Sequence, residues 1–166
     1  MTHTVVFNSP ELACLHEAGH AETALKVGAR VVEMELYREL PRSYGRTRVE
    51  GDTGQRRHIA LGGFAVEYLL FRAGRLVNQD GRPPTEKEFI DFAIDNAGDD
   101  RISYFGRDWA GPNGRWPREL DHEFMNYAIG RAKNSMRFNL VERIADALLA
   151  TGRLDEDAIL RLANPR

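Results

Sequence analysis

One stretch of the chain, residues 10–27, has the pattern of a helix that carries two histidines one helical turn apart. Ser9 is a preferred helix N-cap, the proline after it suits the first helical position, and Gly28 is typical of the position where a helix ends. His16 and His20 are four residues apart, so they share one face of this helix. Any fold of this chain therefore has to accommodate two imidazoles that can point at the same place.

The two histidines belong to an H-E-x-x-H motif in which the glutamate is Glu17. Two neutral imidazoles on one helical face supply two of the three protein ligands of a catalytic zinc site. A carboxylate next to the first histidine can act as a general base toward a water in the open position. The motif predicts His16 and His20 as ligands, Zn²⁺ as the cofactor and Glu17 as the catalytic residue. A histidine pair of this kind can also line or cap a core without metal.

A third zinc ligand is needed, and sequence spacing alone does not select it. Cys14, the single cysteine, lies on a different helical face from His16, so we expect a small buried residue there rather than a ligand. The remaining candidates are histidines and carboxylates in other segments: His3, His58, His122, Glu67, Asp95, Asp99, Asp100 and Asp121.

Composition excludes several classes of protein. The 166 residues suffice for one domain with a hydrophobic core, and a net charge of −2 offers no basic field for nucleic acid. The N-terminus lacks a signal-peptide pattern, and no apolar run reaches membrane-spanning length. None of the three lysines follows a glycine, so a Walker A motif is absent. We expect a cytoplasmic protein without nucleic-acid or membrane partners that does not hydrolyse ATP by itself.

Two segments have the pattern of strands. Residues 30–37 alternate, which places Val32, Met34 and Leu36 on one face, and residues 46–49 can pair with them as the second strand of a hairpin.

The other periodic segments predict helices, and Thr85 begins a capping-box pattern that starts one of them. The glycine pair Gly62-Gly63 lies inside another and suggests tight helix packing. We therefore predict a mainly α (α+β) fold, with a single domain over residues 1–166 and a small antiparallel hairpin. The predicted helical segments are 56–72, 85–96, a piece ending near Trp109 and separated from its predecessor by residues 98–100, 118–150 with a break near Asn139, and 155–162.

Several motifs, in order along the chain, resemble those of the FtsH-type ATP-dependent zinc metallopeptidases. Residues 15–21 look like that family's active-site helix. Residues 61–71 are similar to its L-G-G-R-A-A-E-E-L-V-F segment, with Phe64 in place of the arginine. Residues 44–47 lie where the family has an L-G-x-T strand, and residues 139–155 resemble its C-terminal helix.

The resemblance covers most of residues 11–162 and implies a fold like the family's peptidase domain. It also implies a third zinc ligand, an aspartate in an A-x-N-D-L segment that opens a helix. Aligning that segment on Ala97 places Asp100 on the ligand. The stretch between Phe71 and Asp100 is longer than in the family by about one helix, so Asp99 is the next choice. An acidic first turn stabilised by the helix dipole is the alternative explanation for both aspartates.

By the same resemblance the chain is expected to be a zinc metalloendopeptidase, a hydrolase. An extended peptide could pair with the edge of the strand at residues 46–49, and the family's ATPase is missing, so unfolded or short polypeptides are the expected substrates. Two alternatives stay open: a non-catalytic zinc-containing binding or regulatory module of the same fold, and a protease subunit that works with a separate ATPase chain. The family assembles as hexamers, so a homo-oligomer is a further expectation. Glu67 either orients a ligating histidine or is a partly exposed helix residue.

Overall fold

The computed structural model describes residues 3–39 and 41–165, and it confirms the predicted mainly helical α+β fold. Within those residues there are eight helices and five short strands. The helices are α1 (Pro10–Lys26), α2 (Thr53–Ile59), α3 (Gly62–Arg72), α4 (Glu86–Asn96), α5 (Gly98–Phe105), α6 (Arg118–Ser135), α7 (Phe138–Thr151) and α8 (Glu156–Ala163). The strands are β1 (Val5–Val6), β2 (Arg30–Tyr37), β3 (Tyr44–Glu50), β4 (Leu76–Val77) and β5 (Arg153–Asp155).

Helix α1 is the centre of the molecule. The Ser9 side chain accepts a hydrogen bond from the Leu12 amide at 3.1 Å, and Gly28 ends the helix with φ +75°, as the sequence predicts. The helix packs against α3, α7, β2 and β3, and 12 of its 17 residues are buried. Because it is surrounded, every polar side chain on it needs a partner inside the protein.

The sheet places β2 between two antiparallel neighbours, in the order β3-β2-β5. Met34 of β2 lies opposite Thr47 of β3 on one side and Leu154 of β5 on the other. The predicted hairpin is confirmed, and β3 is an edge strand of the described sheet. Sequence patterns missed β5 and the parallel pair of β1 and β4, because two or three residues are too few to show alternation.

The predicted inner face of β2 is partly wrong. Met34 is fully buried and Leu36 packs against the core, but Val31 is buried in place of Val32, which is only half-buried. The pairing with β3 shifts register between Val31 and Glu33. An extra residue at such a bulge breaks the period-2 alternation, so the residue before it changes face.

The predicted single helix over 56–72 is also wrong, because α2 and α3 are separate helices. The first begins earlier than predicted, at a capping box formed by Asp52 with Gln55. The second begins at Gly62, where it crosses α1 at Gly19; a Cβ on Gly62 would lie 2.3 Å from the Gly19 carbonyl oxygen. The predicted tight helix packing is therefore confirmed, although the glycine pair begins a helix and does not lie inside one.

Two further boundaries differ from prediction. Asp99 and Asp100 lie in the first turn of α5, and that helix ends at Gly106 with φ +76°, before Trp109. Helices α6 and α7 are interrupted at residues 136–137, slightly before Asn139. Most of the buried apolar residues nevertheless form one cluster that runs from β1 to α8. No helix in the described ranges has the length and apolar character needed to cross a membrane.

Candidate metal centre

The three predicted ligands meet at one point between α1 and the first turn of α5. The Nε2 atoms of His16 and His20 are 3.1 Å apart, and each lies 3.1 Å from one carboxylate oxygen of Asp100. One ligand atom from each residue lies within 4.8 Å of the other two, so the group can hold a metal ion. Asp99, the second choice for the third ligand, is exposed and stands outside this group. We call His16, His20 and Asp100 the metal cluster.

The hydrogen bonds behind the two imidazoles determine which ring nitrogens face the centre. His16 Nδ1 lies 2.7 Å from Glu67 Oε1, and His20 Nδ1 lies 2.7 Å from the Ile59 carbonyl oxygen. Both partners accept hydrogen bonds, so both Nδ1 atoms carry the proton of a neutral ring and both Nε2 atoms carry lone pairs. When both rings are neutral, the two Nε2 lone pairs and the Asp100 carboxylate therefore face one another, and none of these groups has a proton to donate. A cation bound between these acceptors would offset their mutual repulsion, and imidazole nitrogen and carboxylate oxygen are ligands that zinc uses.

The charges of the cluster favour binding of a positive species. Burial disfavours an imidazolium, but the Glu67 and Asp100 carboxylates outweigh this and raise the pKa of His16 well above its ordinary value. Asp100 similarly raises the pKa of His20 against the effect of burial. Burial would raise the pKa of Asp100 itself, yet the two imidazoles keep it well below its usual range. Without metal the cluster retains protons, and metal binding has to displace them.

Glu67 lies directly behind His16. Its side chain is fully buried, and Oε1 accepts from both His16 Nδ1 and the Asn96 side-chain amide. Glu67 is therefore not a partly exposed helix residue, and its contact is the one expected of a carboxylate that orients His16 as a predicted ligand. Asn96, the last residue of α4, was missed, because a single asparagine at a helix end carries no signal of a site 80 residues away.

Glu17 stands beside the metal cluster and is held by β3. The Thr47 hydroxyl donates a 2.6 Å hydrogen bond to Glu17 Oε2, and the Glu17 side chain is almost completely buried. Gly45 leaves the necessary space, because a Cβ there would lie 2.2 Å from Glu17 Cγ. The sequence places both β3 residues in a family-like strand, but nothing in their spacing indicates this contact with Glu17.

A glycine also makes room for the imidazole of His16. A Cβ on Gly63 would lie 2.3 Å from Nε2 of the His16 ring, so the backbone of α3 packs directly against the imidazole. The ring is thereby fixed between that backbone and its hydrogen bond to Glu67. Gly62 thus allows α3 to cross α1 closely, and Gly63 leaves space for the His16 ring.

Two clefts open on the centre, and both are bordered by Glu17 and Asp100. The smaller, of about 300 Å³, lies on the His16 side, between the start of α1, the end of α4 and the start of β3. The larger, of about 620 Å³, lies on the His20 side and follows β3, with α2 and α5 as its other wall. A chain lying along β3 can therefore pass the centre.

The other candidate residues lie away from this point. Cys14 is buried, and burial raises the pKa of its thiol to about 12, as expected for an inert core residue. Asp121 is paired with Arg101. The remaining candidates are exposed and outside the metal cluster: His3, His58, His122 and Asp95.

Comparison with known proteins adds no relative: no protein-family model matches this chain, and no curated protein does. The resemblance to FtsH-type metallopeptidases therefore stays a prediction from sequence motifs.

Proposed function

We propose that this chain is a zinc-dependent metallopeptidase that hydrolyses peptide bonds in unfolded or short polypeptides. The observation that carries the proposal is the convergence of three lone-pair donors from His16, His20 and Asp100 beside a buried carboxylate, Glu17. A structural zinc site has four protein ligands, whereas a catalytic one has three and keeps a position open. Three ligands and an adjacent base are the donor set of the catalytic kind.

Each residue of the site has a separate role in the proposed mechanism. Zinc held by the metal cluster would supply a Lewis acid that activates water and polarises the scissile carbonyl. Glu17 accepts the proton of the attacking water and then donates it to the leaving amine. Thr47 donates to one Glu17 oxygen, which holds the carboxylate in place and leaves the other oxygen for the proton. Glu67 keeps the His16 ring in the tautomer that presents Nε2.

The substrate class follows from the edge strand. In the described sheet the outer edge of β3 has no strand beside it, and the 620 Å³ cleft runs along it toward the centre. An extended peptide can add to such an edge through main-chain hydrogen bonds. Most main-chain groups of a folded protein are already paired, so unfolded or short polypeptides are the substrates that can offer a free extended backbone.

The alternatives are a non-catalytic zinc module and a subunit that depends on a separate ATPase chain. The hydrogen bond between Thr47 and Glu17 favours an enzyme, because a scaffold has no use for a base held beside its metal. A dependence on an ATPase would concern the supply of unfolded chain and leaves the chemistry of the site unchanged.

The test compares two glutamates of the same helix. With Glu17→Gln we expect the same zinc stoichiometry and a loss of about 10² to 10⁴ in the rate of hydrolysis of an unstructured casein-like substrate. Glu11→Gln, on α1 but away from the cluster, should leave the rate unchanged. Chelator should abolish the wild-type activity, and zinc should restore it.

Three results separate the hypotheses. Wild-type protein that holds zinc but cleaves no unfolded substrate, with or without ATPase-containing lysate, is the non-catalytic module. Cleavage only when that lysate and ATP are added indicates the ATPase-dependent subunit. Full activity in the Glu17→Gln protein removes the general base from the mechanism.

A further inference from the structure

We propose that the polypeptide segment that binds along β3 carries acidic residues at two alternate positions, opposite Arg46 and Arg48. This inference rests on the proposed function and adds to it a substrate preference and the two residues that determine it.

The outer face of the sheet carries charges that alternate in sign from strand to strand. On β2, Glu33 forms ion pairs with Arg153 of β5 and with Arg48 of β3, the latter at 3.1 Å. One step along, Glu35 of β2 lies opposite Arg46 of β3 in the strand register. Across the sheet the order is arginine on β5, glutamate on β2 and arginine on β3. The row therefore ends on a positive charge at the edge where a peptide would add.

The alternation of β3 separates the two faces of an added strand. Gly45 and Thr47 face Glu17 of α1, whereas Arg46 and Arg48 are exposed on the other face. Successive side chains of a strand point to opposite faces, and directly opposite pairs on neighbouring strands are about 5 Å apart. Peptide side chains on the exposed face therefore meet the arginines, and those between them point toward the metal centre.

The charge around the cleft supports the same preference. Arg56 of α2 adds a third arginine to the lining of the larger cleft. The carboxylates that border this cleft, Glu17, Asp99 and Asp100, stand on the side of the metal cluster, where bound zinc would offset two of their charges. The wall along β3 is thus positive in a chain whose net charge is −2. Opposite-charge cross-strand pairs stabilise a sheet, and like charges destabilise it.

A competing explanation is protection of the edge. Charged side chains on an edge strand prevent pairing with other chains, so the two arginines could serve only to keep the protein monomeric. If the arginines only protect the edge, the affinity for a peptide substrate should not depend on where its charged residues lie. The two explanations therefore predict different results with matched peptides.

The experiment uses three fluorescent, unstructured peptides that differ only at two positions: Glu-x-Glu, Lys-x-Lys and adjacent Glu-Glu. Binding is measured by anisotropy on zinc-loaded Glu17→Gln protein, and cleavage is measured on the wild type. We expect Glu-x-Glu to bind about threefold to thirtyfold more tightly than Lys-x-Lys, with adjacent Glu-Glu between them, since only one of its acids can face the arginines. The preference should shrink at high ionic strength.

The double variant Arg46→Glu/Arg48→Glu, at two exposed positions, should reverse the order of the peptides, whereas Arg143→Glu on α7 should not. Equal binding of the three peptides, or an unchanged order in the double variant, overturns the proposal. Dimerisation of the double variant without a change in peptide selection assigns the arginines to edge protection and overturns it too. If the wild type cleaves none of the peptides, the proposed function fails, and the binding order still decides this inference.

Discussion

Helix α1 contributes buried side chains to two polar clusters that differ in their balance of donors and acceptors. The metal cluster brings together acceptors. The second, which we call the ion-pair cluster, consists of Glu22, Arg131 and Arg137. The Glu22 carboxylate is fully buried and accepts from Arg131 Nη2 at 2.6 Å and from Arg137 Nε at 2.9 Å.

The difference teaches how to distinguish a structural polar cluster from a site. In the ion-pair cluster each carboxylate oxygen has a cationic donor, so the group is complete as it stands. In the metal cluster three acceptors face one another when both imidazoles are neutral, and a positive charge that the cluster itself lacks, either bound protons or a metal ion, has to complete it. Both clusters contain a buried group on α1, and the balance of donors and acceptors is what separates them. Five experiments test or refine this contrast.

The largest effect is expected in the ion-pair cluster. Glu22→Ala leaves the buried Arg131 without its carboxylate, so the free energy of unfolding should fall by about 3–5 kcal/mol, as measured by denaturant titration. Glu142→Ala, which breaks the more exposed pair with Arg75, should cost less than about 1 kcal/mol. A small loss for Glu22→Ala would mean that this cluster is not structural.

Removal of a proposed ligand should have the opposite effect, a large loss of zinc affinity with a small loss of unfolding free energy. His20→Ala should lower zinc affinity by more than about 100-fold, because a ligand contributes more than the residues that orient it. In chelator, His20→Ala should lower the free energy of unfolding by less than Glu22→Ala does. The reason is that the substitution removes one of three acceptors that face one another, whereas Glu22→Ala removes the partner of a buried arginine. Chelator competition and denaturant titration give the two values. A His20→Ala protein that keeps wild-type zinc affinity would contradict the assignment.

The neighbouring aspartates form a matched pair. Asp100→Asn should weaken zinc binding by about 100-fold, whereas Asp99→Asn, at an exposed position, should change it by less than about twofold. Zinc titration of the two variants under identical conditions decides the third ligand. Equal losses would indicate a different arrangement of the first turn of α5.

Glu67→Gln should have an intermediate effect. An outer carboxylate that orients a ligating histidine is worth about 10-fold to 100-fold in metal affinity. The substitution keeps the volume and removes the charge behind His16, so the fold should persist while zinc binding weakens. The measurement is chelator competition, with circular dichroism as the check on the fold, and unaltered affinity would restrict Glu67 to packing.

The smallest effect is the dependence of zinc affinity on pH. Neighbouring carboxylates raise the pKa of both imidazoles, so the metal-free cluster holds protons that zinc must displace. Affinity should therefore rise with pH between about 6 and 8, by no more than about tenfold per unit for each proton released. Titration in two buffers of different ionisation enthalpy counts those protons, and a flat profile would mean that none is displaced.

Local signals were read correctly from the sequence. The cap at Ser9, the stop at Gly28 and the capping box at Thr85 all involve residues within a few positions of one another, and the structure has each of them. Where prediction failed, a distant partner decided the outcome. The break between α2 and α3 precedes the crossing of Gly62 with Gly19, and the altered face of β2 depends on its register with β3.

The sequence by itself determined the part of the site that one helix can encode: two imidazoles a turn apart and a glutamate beside the first. Their spacing is a property of the helix and needs no tertiary contact. Motif resemblance pointed to Asp100, with Asp99 as second choice, but only the tertiary structure places Asp100 beside the imidazoles, 84 residues from His16, and shows which side chains hold Glu17 and His16. Those partners come from α3, α4, α5 and β3, and packing around α1 brings them together at distances that no sequence spacing specifies.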